Sequence, residues 1–248
     1  MSYEFLDASN GEAQGTFTTA IDVSATGLTL ALWLKYSAHP VSTDYLLALS
    51  ADLTNNEDFC SVNLLAVADR YGLSTIAAGG TPELYNHQIT EADGTYDNPT
   101  PLWHPVVATF ASDSSRTLRI NTFGNSSSET STTVTTGNLD SISLGCAPNR
   151  AANILSAKFA EVAIWNKVLD QTDIESYMSG TAASGISASN LRGYWPLDTD
   201  TGTELSNAGE DATGTLTGNA GTNFVIGDHP TITGSVDELS MGGVIVLP

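Results

Sequence analysis

The chain has 248 residues, and its 28 acidic residues against 8 basic ones give a net charge of −20 at pH 7. This charge excludes nucleic acid and anionic membranes as partners, because phosphate binding needs clustered Lys and Arg, and the basic residues here are few and scattered along the sequence. A composition of 41% hydrophobic and 15% charged residues with 22 Gly is typical of one large all-β domain, and no apolar run approaches the about 20 residues that span a bilayer.

Short runs of strand-forming residues, separated by turn residues, predict a chain built mostly of strands. Breakers at 79–82 and 97–101 mark turns, and the Ser/Thr-rich tract 125–133 is typical of a hairpin tip. In chain order, the predicted strands cover residues 3–9, 15–22, 28–36, 45–50, 60–67, 72–77, 105–111, 117–123, 132–136, 141–145, 157–165 and 192–197.

The stretch 159–165 predicts a strand that runs directly into a helix. Strict alternation gives it two faces, with Ala160, Val162 and Ile164 on one and Phe159, Glu161, Ala163 and Trp165 on the other.

Asp170 is predicted to cap the short helix that follows, near residues 170–179. Its carboxylate can accept a hydrogen bond from the backbone N–H of Asp173. Apolar side chains then recur at helical spacing before Gly180 ends the turn: Ile174, Tyr177 and Met178. Such periodic apolar positions indicate core packing, so the stretch indicates the fold and not a catalytic or binding site.

Five segments together carry a family resemblance. They are the opening strand 3–11, the tryptophan strand 28–35, the hairpin 103–110 with 117–124, the strand and helix 159–175, and the segment 193–198 followed by Gly202 and 214–216. In this order they resemble the laminin G and pentraxin-like branch of the concanavalin A-like lectin/glucanase superfamily. The resemblance implies an all-β fold, an antiparallel jelly-roll β-sandwich with one short helix near 170–179.

We place the lectin-like sandwich at residues 1–227 and a C-terminal extension at 228–248. The extension ends in the apolar run 242–248, which is unfavourable if it is left in solvent. Either it pairs with its own sheet as a final strand, or it is an assembly arm that adds to a neighbouring subunit.

The N-terminus predicts where the protein is found. The chain opens Met1-Ser2-Tyr3-Glu4 and enters a predicted strand at once, without the charged and apolar regions of a signal peptide. Lectin-like sandwiches usually act outside cells. A virus particle reconciles these observations, because virion proteins are made in the host cytoplasm and released by lysis. We therefore expect a virion location, with an extracellular location as the alternative.

The catalytic motifs of this fold are missing. Its glucanases use Glu-x-Asp-x-x-Glu or Glu-x-Asp-x-Glu, but Glu91-Ala92-Asp93 is followed by Thr95 and Tyr96 where the second Glu should be. Its lyases need Gln-x-His, and His87-Gln88-Ile89 has the wrong order. Glu161 has no partner carboxylate and is interpreted as a structural hydrogen-bond acceptor. We therefore predict that the chain is not an enzyme, and a hydrolase or lyase using Glu91 or Glu161 is the least favoured hypothesis.

Two aromatic segments offer the chemistry of sugar binding. Tyr85-Asn86-His87 and Tyr96-Asp97-Asn98 each place a ring beside polar groups, so that the ring can cover a sugar's C–H face while the polar group orients its hydroxyls. We predict Tyr85, Tyr96 and Asp97 as ligand-binding residues. The tryptophans lie in family core motifs and are assigned to packing: Trp33, Trp103, Trp165 and Trp195.

Calcium is the one cofactor that the resemblance suggests, since many relatives hold it at a sheet edge through Asp, Asn and backbone oxygens. The chemically suitable carboxylates, in no specific pattern, are Asp44, Asp198, Asp200 and Asp211. Cys60 and Cys146 lie in separate apolar strands and are expected to be buried free thiols, because two cysteines do not make a disulfide scaffold.

Two functional hypotheses follow. The first is a non-catalytic virion structural protein, a phage head decoration or a tail or fibre module, that displays a lectin-like sandwich for glycan or host-surface attachment. Its partners would be other virion proteins or further copies of itself, bound through the C-terminal tail, and host glycans. The alternative is a free carbohydrate-binding module, secreted or at a cell surface, with calcium-dependent affinity. Neither hypothesis involves nucleic acid or membrane insertion.

Overall fold

Strands dominate the computed structural model, which describes residues 2–5, 13–36, 43–53, 58–65, 71–76, 83–85, 102–112, 114–130, 138–149, 157–197, 203–205, 215–218, 222–225 and 230–232. The strands are β1 (Ser2–Phe5), β2 (Ala13–Asp22), β3 (Leu28–Tyr36), β4 (Asp44–Ser50), β5 (Phe59–Leu64), β6 (Tyr71–Ile76), β7 (Glu83–Tyr85), β8 (His104–Ser112), β9 (Ser115–Ile120), β10 (Thr122–Thr130), β11 (Asn138–Leu144), β12 (Ala157–Trp165), β13 (Leu191–Trp195), β14 (Thr203–Leu205), β15 (Thr215–Gly218) and β16 (Thr222–Val225). The helices are α1 (Val23–Thr26) and α2 (Gln171–Met178), with two short 3₁₀ segments at Ala183–Gly185 and Ala188–Asn190.

These strands form two antiparallel sheets of eight strands each. Sheet A has the order β10-β9-β8-β3-β12-β1-β16, with β13 also paired to β12, and sheet B has the order β14-β15-β2-β11-β4-β5-β6-β7. The predicted all-β sandwich with one helix near 170–179 is confirmed. Among the described residues, no helix has the length and apolar character needed to cross a membrane.

The main core lies between the two sheets. Alternate residues of β3 and β5 face this space and are fully buried or nearly so: Leu28, Leu30, Leu32, Leu34, Cys60, Val62 and Leu64. Cys60 and Cys146 are both buried and free, as predicted. We call the face of each sheet that points away from this core its outer face.

Strand β12 contains a β-bulge that alternation did not predict. Glu161 has a φ of 55°, and the register with β3 shifts between Ala160 and Ala163. The extra residue changes the alternation, so Phe159 lies in the inner core together with Val162. The prediction that Phe159 shares a face with Trp165 is therefore wrong. The prediction that Ala160 shares a face with Val162 and Ile164 is also wrong, because Ala160 pairs with the outward Trp33.

The Ser/Thr-rich tract forms a strand and not a hairpin tip. β10 pairs with β9 through Thr130, and the turn between them lies at Asn121, which has a φ of 63°. The hydroxyls of Thr117 and Ser128 hydrogen-bond across this pair at 2.9 Å. An edge strand can be this polar because much of it stays in water. The prediction is wrong for residues 125–130, and 131–137, with the predicted strand 132–136, lie outside the described residues.

Helix α2 follows its predicted pattern. The Asp170 carboxylate accepts a hydrogen bond from the backbone N–H of Asp173 at 3.0 Å, as an N-cap should. Ile174, Tyr177 and Met178 are buried against the outer face of sheet A, where they form a second apolar cluster.

The start of the predicted C-terminal extension returns to the end of this helix. A Cβ added to Gly180, which has a φ of +93°, would lie 2.6 Å from the carbonyl oxygen of Thr231. Pro230 and Ile232 are buried. Residues 230–232 therefore pack on the sandwich, whereas 233–248 lie outside the described residues and their role as strand or arm stays a prediction.

Candidate functional site

Helix α2 covers only part of the outer face of sheet A. The outward residues of β3 are Thr29, Ala31, Trp33 and Lys35, since the alternate leucines face the core. Ala31 is 1% exposed and belongs to the cluster beneath α2, whereas Trp33 and Lys35 are only partly buried. The strand therefore runs from a covered half, beneath the helix, to an open half near its C-terminal end.

The open half holds an aromatic and cationic surface. β3 and β8 pair as far as Leu34 opposite His104, so Lys35 and Trp103 are the next cross-strand neighbours. The Lys35 Nζ lies 5.9 Å from the centroid of the Trp103 ring, within the range of a cation–π interaction. Leu102 beside it is 55% exposed. We call Trp33, Lys35, Leu102 and Trp103 the tryptophan patch.

Side chains at the same end of the sandwich fix the rim of this patch. The rings of Tyr36 and His104 lie 6.1 Å apart, and His104 Nδ1 is 2.8 Å from Asn121 Oδ1. Since a carboxamide oxygen only accepts, the His104 Nδ1–H donates. The Tyr71 hydroxyl donates to the Tyr36 hydroxyl at 3.3 Å, which ties sheet B to sheet A. These bonds hold β3, β8 and β9 together directly behind the patch.

A polar row on the outer face of sheet B is inaccessible. Gln14 Nε2 donates to Ser143 Oγ at 2.9 Å and to the Pro148 carbonyl at 2.7 Å, and Asn63 Nδ2 donates to Ser74 Oγ at 2.5 Å. Gln14 is 6% exposed and the three side chains on the other strands are 0% exposed. These groups are already bonded to each other, so the row is a packed network and not a free binding surface.

Of the predicted ligand residues the structure describes Tyr85, which lies on sheet B and not in the patch on sheet A. Tyr85 ends the edge strand β7, opposite the core residue Leu73. Tyr96 and Asp97 lie outside the described residues. The described chain stops at Tyr85 and resumes at Leu102, and both points are at the end of the sandwich where Tyr36 meets Tyr71. Their part in ligand binding stays a prediction.

Calcium also stays a prediction. Asp44 begins β4 and is 5% exposed, and the other three candidates, Asp198, Asp200 and Asp211, lie outside the described residues. Within the described ranges, no group of three or more His, Cys, Asp or Glu side chains could hold a metal ion.

Glu161 is a structural acceptor, as predicted. Its carboxylate accepts from the Tyr194 hydroxyl at 2.5 Å, and its carbonyl accepts from the Tyr177 hydroxyl at 2.6 Å. Burial raises the pKa of Tyr177 well above its ordinary value of 10.0, and the nearby Glu161 and Tyr194 add to this effect. Glu161 thus anchors the bulge beneath α2 and is 1% exposed, where no substrate reaches it.

Sequence reasoning missed the patch because it assigned all four tryptophans to packing. Trp165 and Trp195 are 0% and 1% exposed, and for them the assignment is correct. Trp33 and Trp103 are only partly buried. The sequence does carry a signal for Trp33. This residue alternates with the leucines on either side of it, so its side chain points away from the core that they form.

A family model described as the concanavalin A-like lectin/glucanases superfamily, of laminin G type, matches residues 9–175. The chain belongs to this superfamily. The matched range runs from before β2 through most of α2 and so includes the strands that carry the tryptophan patch. A comparison with curated protein sequences gives no significant match.

Solved structures resemble this chain at low sequence identity. A proposed carbohydrate-binding protein from Bacteroides ovatus is 12% identical with a TM-score of 0.60, over 93% of this chain and 61% of that protein. A heptameric SAP-like pentraxin from Limulus polyphemus is 12% identical with a TM-score of 0.47, over 71% of this chain and 81% of that one. This chain thus spans less than two thirds of the Bacteroides protein.

Proposed function

We propose that this lectin-like domain is a non-catalytic carbohydrate-binding module whose binding surface is the tryptophan patch. The observation that supports this function is the partly buried Trp103 ring, placed beside the Lys35 ammonium and the exposed Leu102 on a rigid sheet. An aromatic face binds the C–H face of a sugar ring, and an adjacent hydrogen-bond donor orients the hydroxyls.

The contacts behind the tryptophan patch hold it in place before a ligand binds. The hydrogen bond from His104 to Asn121 and the ring contact of His104 with Tyr36 fix the strand that carries Trp103. A ring that is held in place before binding loses little conformational freedom when it contacts the ligand. Tyr96 and Asp97 precede Leu102 in the sequence, and their part in ligand binding stays a prediction.

A binding role without catalysis also agrees with the burial and hydrogen bonding of Glu161. Hydrolysis of a glycosidic bond needs two carboxylates on either side of the bond. The Glu161 carboxylate is buried and accepts a hydrogen bond from Tyr194, and it lies beneath α2 rather than in the open half. This geometry supports a module that holds a glycan without cleaving it.

A glycan array followed by titration calorimetry tests the proposal. We expect the wild type to bind at least one glycan class, Trp103→Ala to lose about tenfold or more in affinity, and Trp103→Phe to retain part of it because a ring remains. Lys167→Gln is the matched surface control, since Lys167 pairs with Asp173 beside α2. Binding that is unaffected by Trp103→Ala would overturn the assignment to this patch.

Each titration is repeated with calcium and with EDTA. Binding that requires calcium supports the predicted cofactor, and equal affinity in both conditions contradicts it.

Where the module works is a further proposal, either on a virion or as a free extracellular module. A virion component is expected to assemble through its C-terminal tail, and a free module is expected to be monomeric. Light scattering of the full chain and of a version ending at Ile232 separates them, because this truncation keeps the packed residues 230–232. A closed oligomer that is lost on truncation supports the virion setting, and a monomer in both cases supports the free module.

A further inference from the structure

We infer that the glycan bound at the tryptophan patch is a linear chain held along its length, with neighbouring sugar units on Trp103 and Trp33. This inference rests on the proposed function and names the ligand class and a second contact of the same surface. It starts from the register of β3 and β8, which brings the two indoles together on the outer face of sheet A.

The two rings occupy diagonal positions on neighbouring strands. Trp33 pairs with Pro105 on β8, and Trp103 lies two residues before Pro105, so both indoles point outward. The Pro105 carbonyl accepts from the backbone N–H of Asn121 after β9, so Trp33 and Pro105 form a non-hydrogen-bonded pair, in which side chains lie closer together. Diagonal neighbours in such a pair are about 7–8 Å apart, so two indoles there can contact consecutive units of one glycan chain.

The surface that Trp33 offers to a ligand is apolar. The residue is partly exposed, but its Nε1 atom is buried and has no hydrogen-bond partner among the described residues. The part of the indole that meets solvent is therefore ring carbon, which suits the C–H face of a sugar and not its hydroxyls. Trp33 thus extends the aromatic surface of Trp103 instead of adding a polar contact.

Packing alone does not explain a tryptophan at position 33. A buried N–H without an acceptor is unfavourable, and Trp165 avoids this cost because its Nε1 donates to the Ile186 carbonyl at 2.9 Å. A leucine or phenylalanine at position 33 would cover the cluster beneath α2 without burying such a donor. A ligand that contacts the exposed ring carbons accounts for the tryptophan.

The neighbours of Trp33 favour an extended ligand. Its cross-strand partners are Pro105 on β8 and Ala160 on β12, and both are short and buried, so neither side chain reaches above the indole. The described part of this surface is a sheet face that continues to the exposed Leu102. Such a face contacts the side of a chain, whereas a single sugar or a chain end is typically enclosed by a pocket.

Calorimetry of the full chain with linear oligosaccharides of increasing length tests the inference. The probes are cello-oligosaccharides, chito-oligosaccharides and oligogalacturonates, each as the monosaccharide, disaccharide and tetrasaccharide. In at least one series we expect the tetrasaccharide to bind about tenfold or more tightly than the monosaccharide, because a second ring contact is added. A long polymer of that series is expected to bind several protein molecules along its length, whereas recognition of chain ends would confine binding to the ends.

Three variants test the second ring contact. Trp33→Leu keeps an apolar side chain over the cluster beneath α2 but removes the ring, so we expect it to lose most of the gain in affinity from monosaccharide to tetrasaccharide. Trp33→Phe keeps a ring without the N–H and is expected to retain most of this gain. Lys167→Gln is the matched control outside the patch. Urea unfolding checks that each variant is folded, and if Trp33→Leu does not fold, Trp33→Phe and the polymer stoichiometry decide.

Each outcome supports or overturns a named part of the proposal. Binding that Trp103→Ala abolishes, but that is equally tight for the monosaccharide and the tetrasaccharide, overturns the linear chain and leaves the proposed function standing. Binding of branched glycans on the array, with none of the linear series bound, has the same consequence. A gain with length that Trp33→Leu leaves unchanged overturns the role of Trp33. The absence of binding to any glycan overturns both proposals.

Discussion

The outer face of sheet A has a covered half and an open half that are built on the same strands. Under α2, Trp165 is 0% exposed, its Nε1 donates to the Ile186 carbonyl at 2.9 Å, and its ring meets Tyr177 edge-on at 6.0 Å. In the open half, Trp103 is only partly buried and meets Lys35 instead. What lies above a tryptophan, and not the strand that carries it, therefore decides whether it serves stability or recognition.

Trp33 marks the boundary between the halves. It packs against the cluster beneath α2, yet its Nε1 has no hydrogen-bond partner within the described part of the chain. Trp165 Nε1, by contrast, is bonded. The indole N–H of Trp165 in the covered half is thus paired, whereas that of Trp33 at the boundary has no partner among the described residues.

The largest expected effect comes from replacing a tryptophan of each half by alanine. Trp165→Ala removes a fully buried ring and is expected to lower the free energy of unfolding by about 3–5 kcal/mol. Trp103→Ala removes a partly exposed ring and is expected to cost about 1 kcal/mol or less. Urea unfolding of the two variants measures both losses of free energy. Equal losses would contradict the division of this outer face into a covered and an open half.

A second prediction concerns the end of the covered half, where residues 230–232 pack against Gly180. Gly180→Ala combines a φ of +93° with a Cβ placed 2.6 Å from the Thr231 oxygen, so we expect a loss of about 1–3 kcal/mol. Gly185→Ala is the matched control, because no atom of the described residues lies within 4 Å of a Cβ added there. If both variants unfold at the same urea concentration, residues 230–232 do not pack against Gly180.

A third prediction uses the pH dependence of the covered half. Because burial raises the pKa of Tyr177, this residue ionises near pH 10 in the unfolded chain but stays protonated in the folded protein. Its contribution is therefore complete below about pH 10 and is lost as the pH rises further. Tyr177→Phe costs about 1 kcal/mol at neutral pH through the lost bond to Glu161, but its stability should fall less between about pH 10 and pH 11. Urea unfolding of both proteins across this range measures how the free energy of unfolding changes with pH. Identical slopes for the wild type and Tyr177→Phe would show that Tyr177 does not cause this loss of stability.

Much of the sandwich is visible in the sequence because alternation and capping are local. The predicted strands 28–36 and 157–165 coincide with β3 and β12, and Asp170 caps α2 as expected. The face of Phe159 was not predictable, because a non-glycine bulge at Glu161 leaves no sign in the apolar pattern.

The candidate site was harder to predict than the fold. Its residues come from β3 and from the two positions before β8, and only the register brings Lys35 beside Trp103. Lys35 and Trp103 lie far apart in the sequence, so their contact depends on long-range pairing. The exposure of Trp103 depends on where α2 ends its coverage, which also follows from tertiary packing.

Ligand binding at the tryptophan patch can be followed through the four tryptophan indole N–H signals in a ¹H–¹⁵N spectrum while an oligosaccharide is added. The probes are oligogalacturonate and a cello-oligosaccharide, with signals assigned by Trp→Phe variants. We expect the Trp103 signal to shift most and the Trp33 signal to shift less, while the signals of Trp165 and Trp195 stay in place. If an oligosaccharide binds but leaves the Trp103 signal unchanged, or shifts the signals of the two buried indoles instead, the tryptophan patch is not the binding surface.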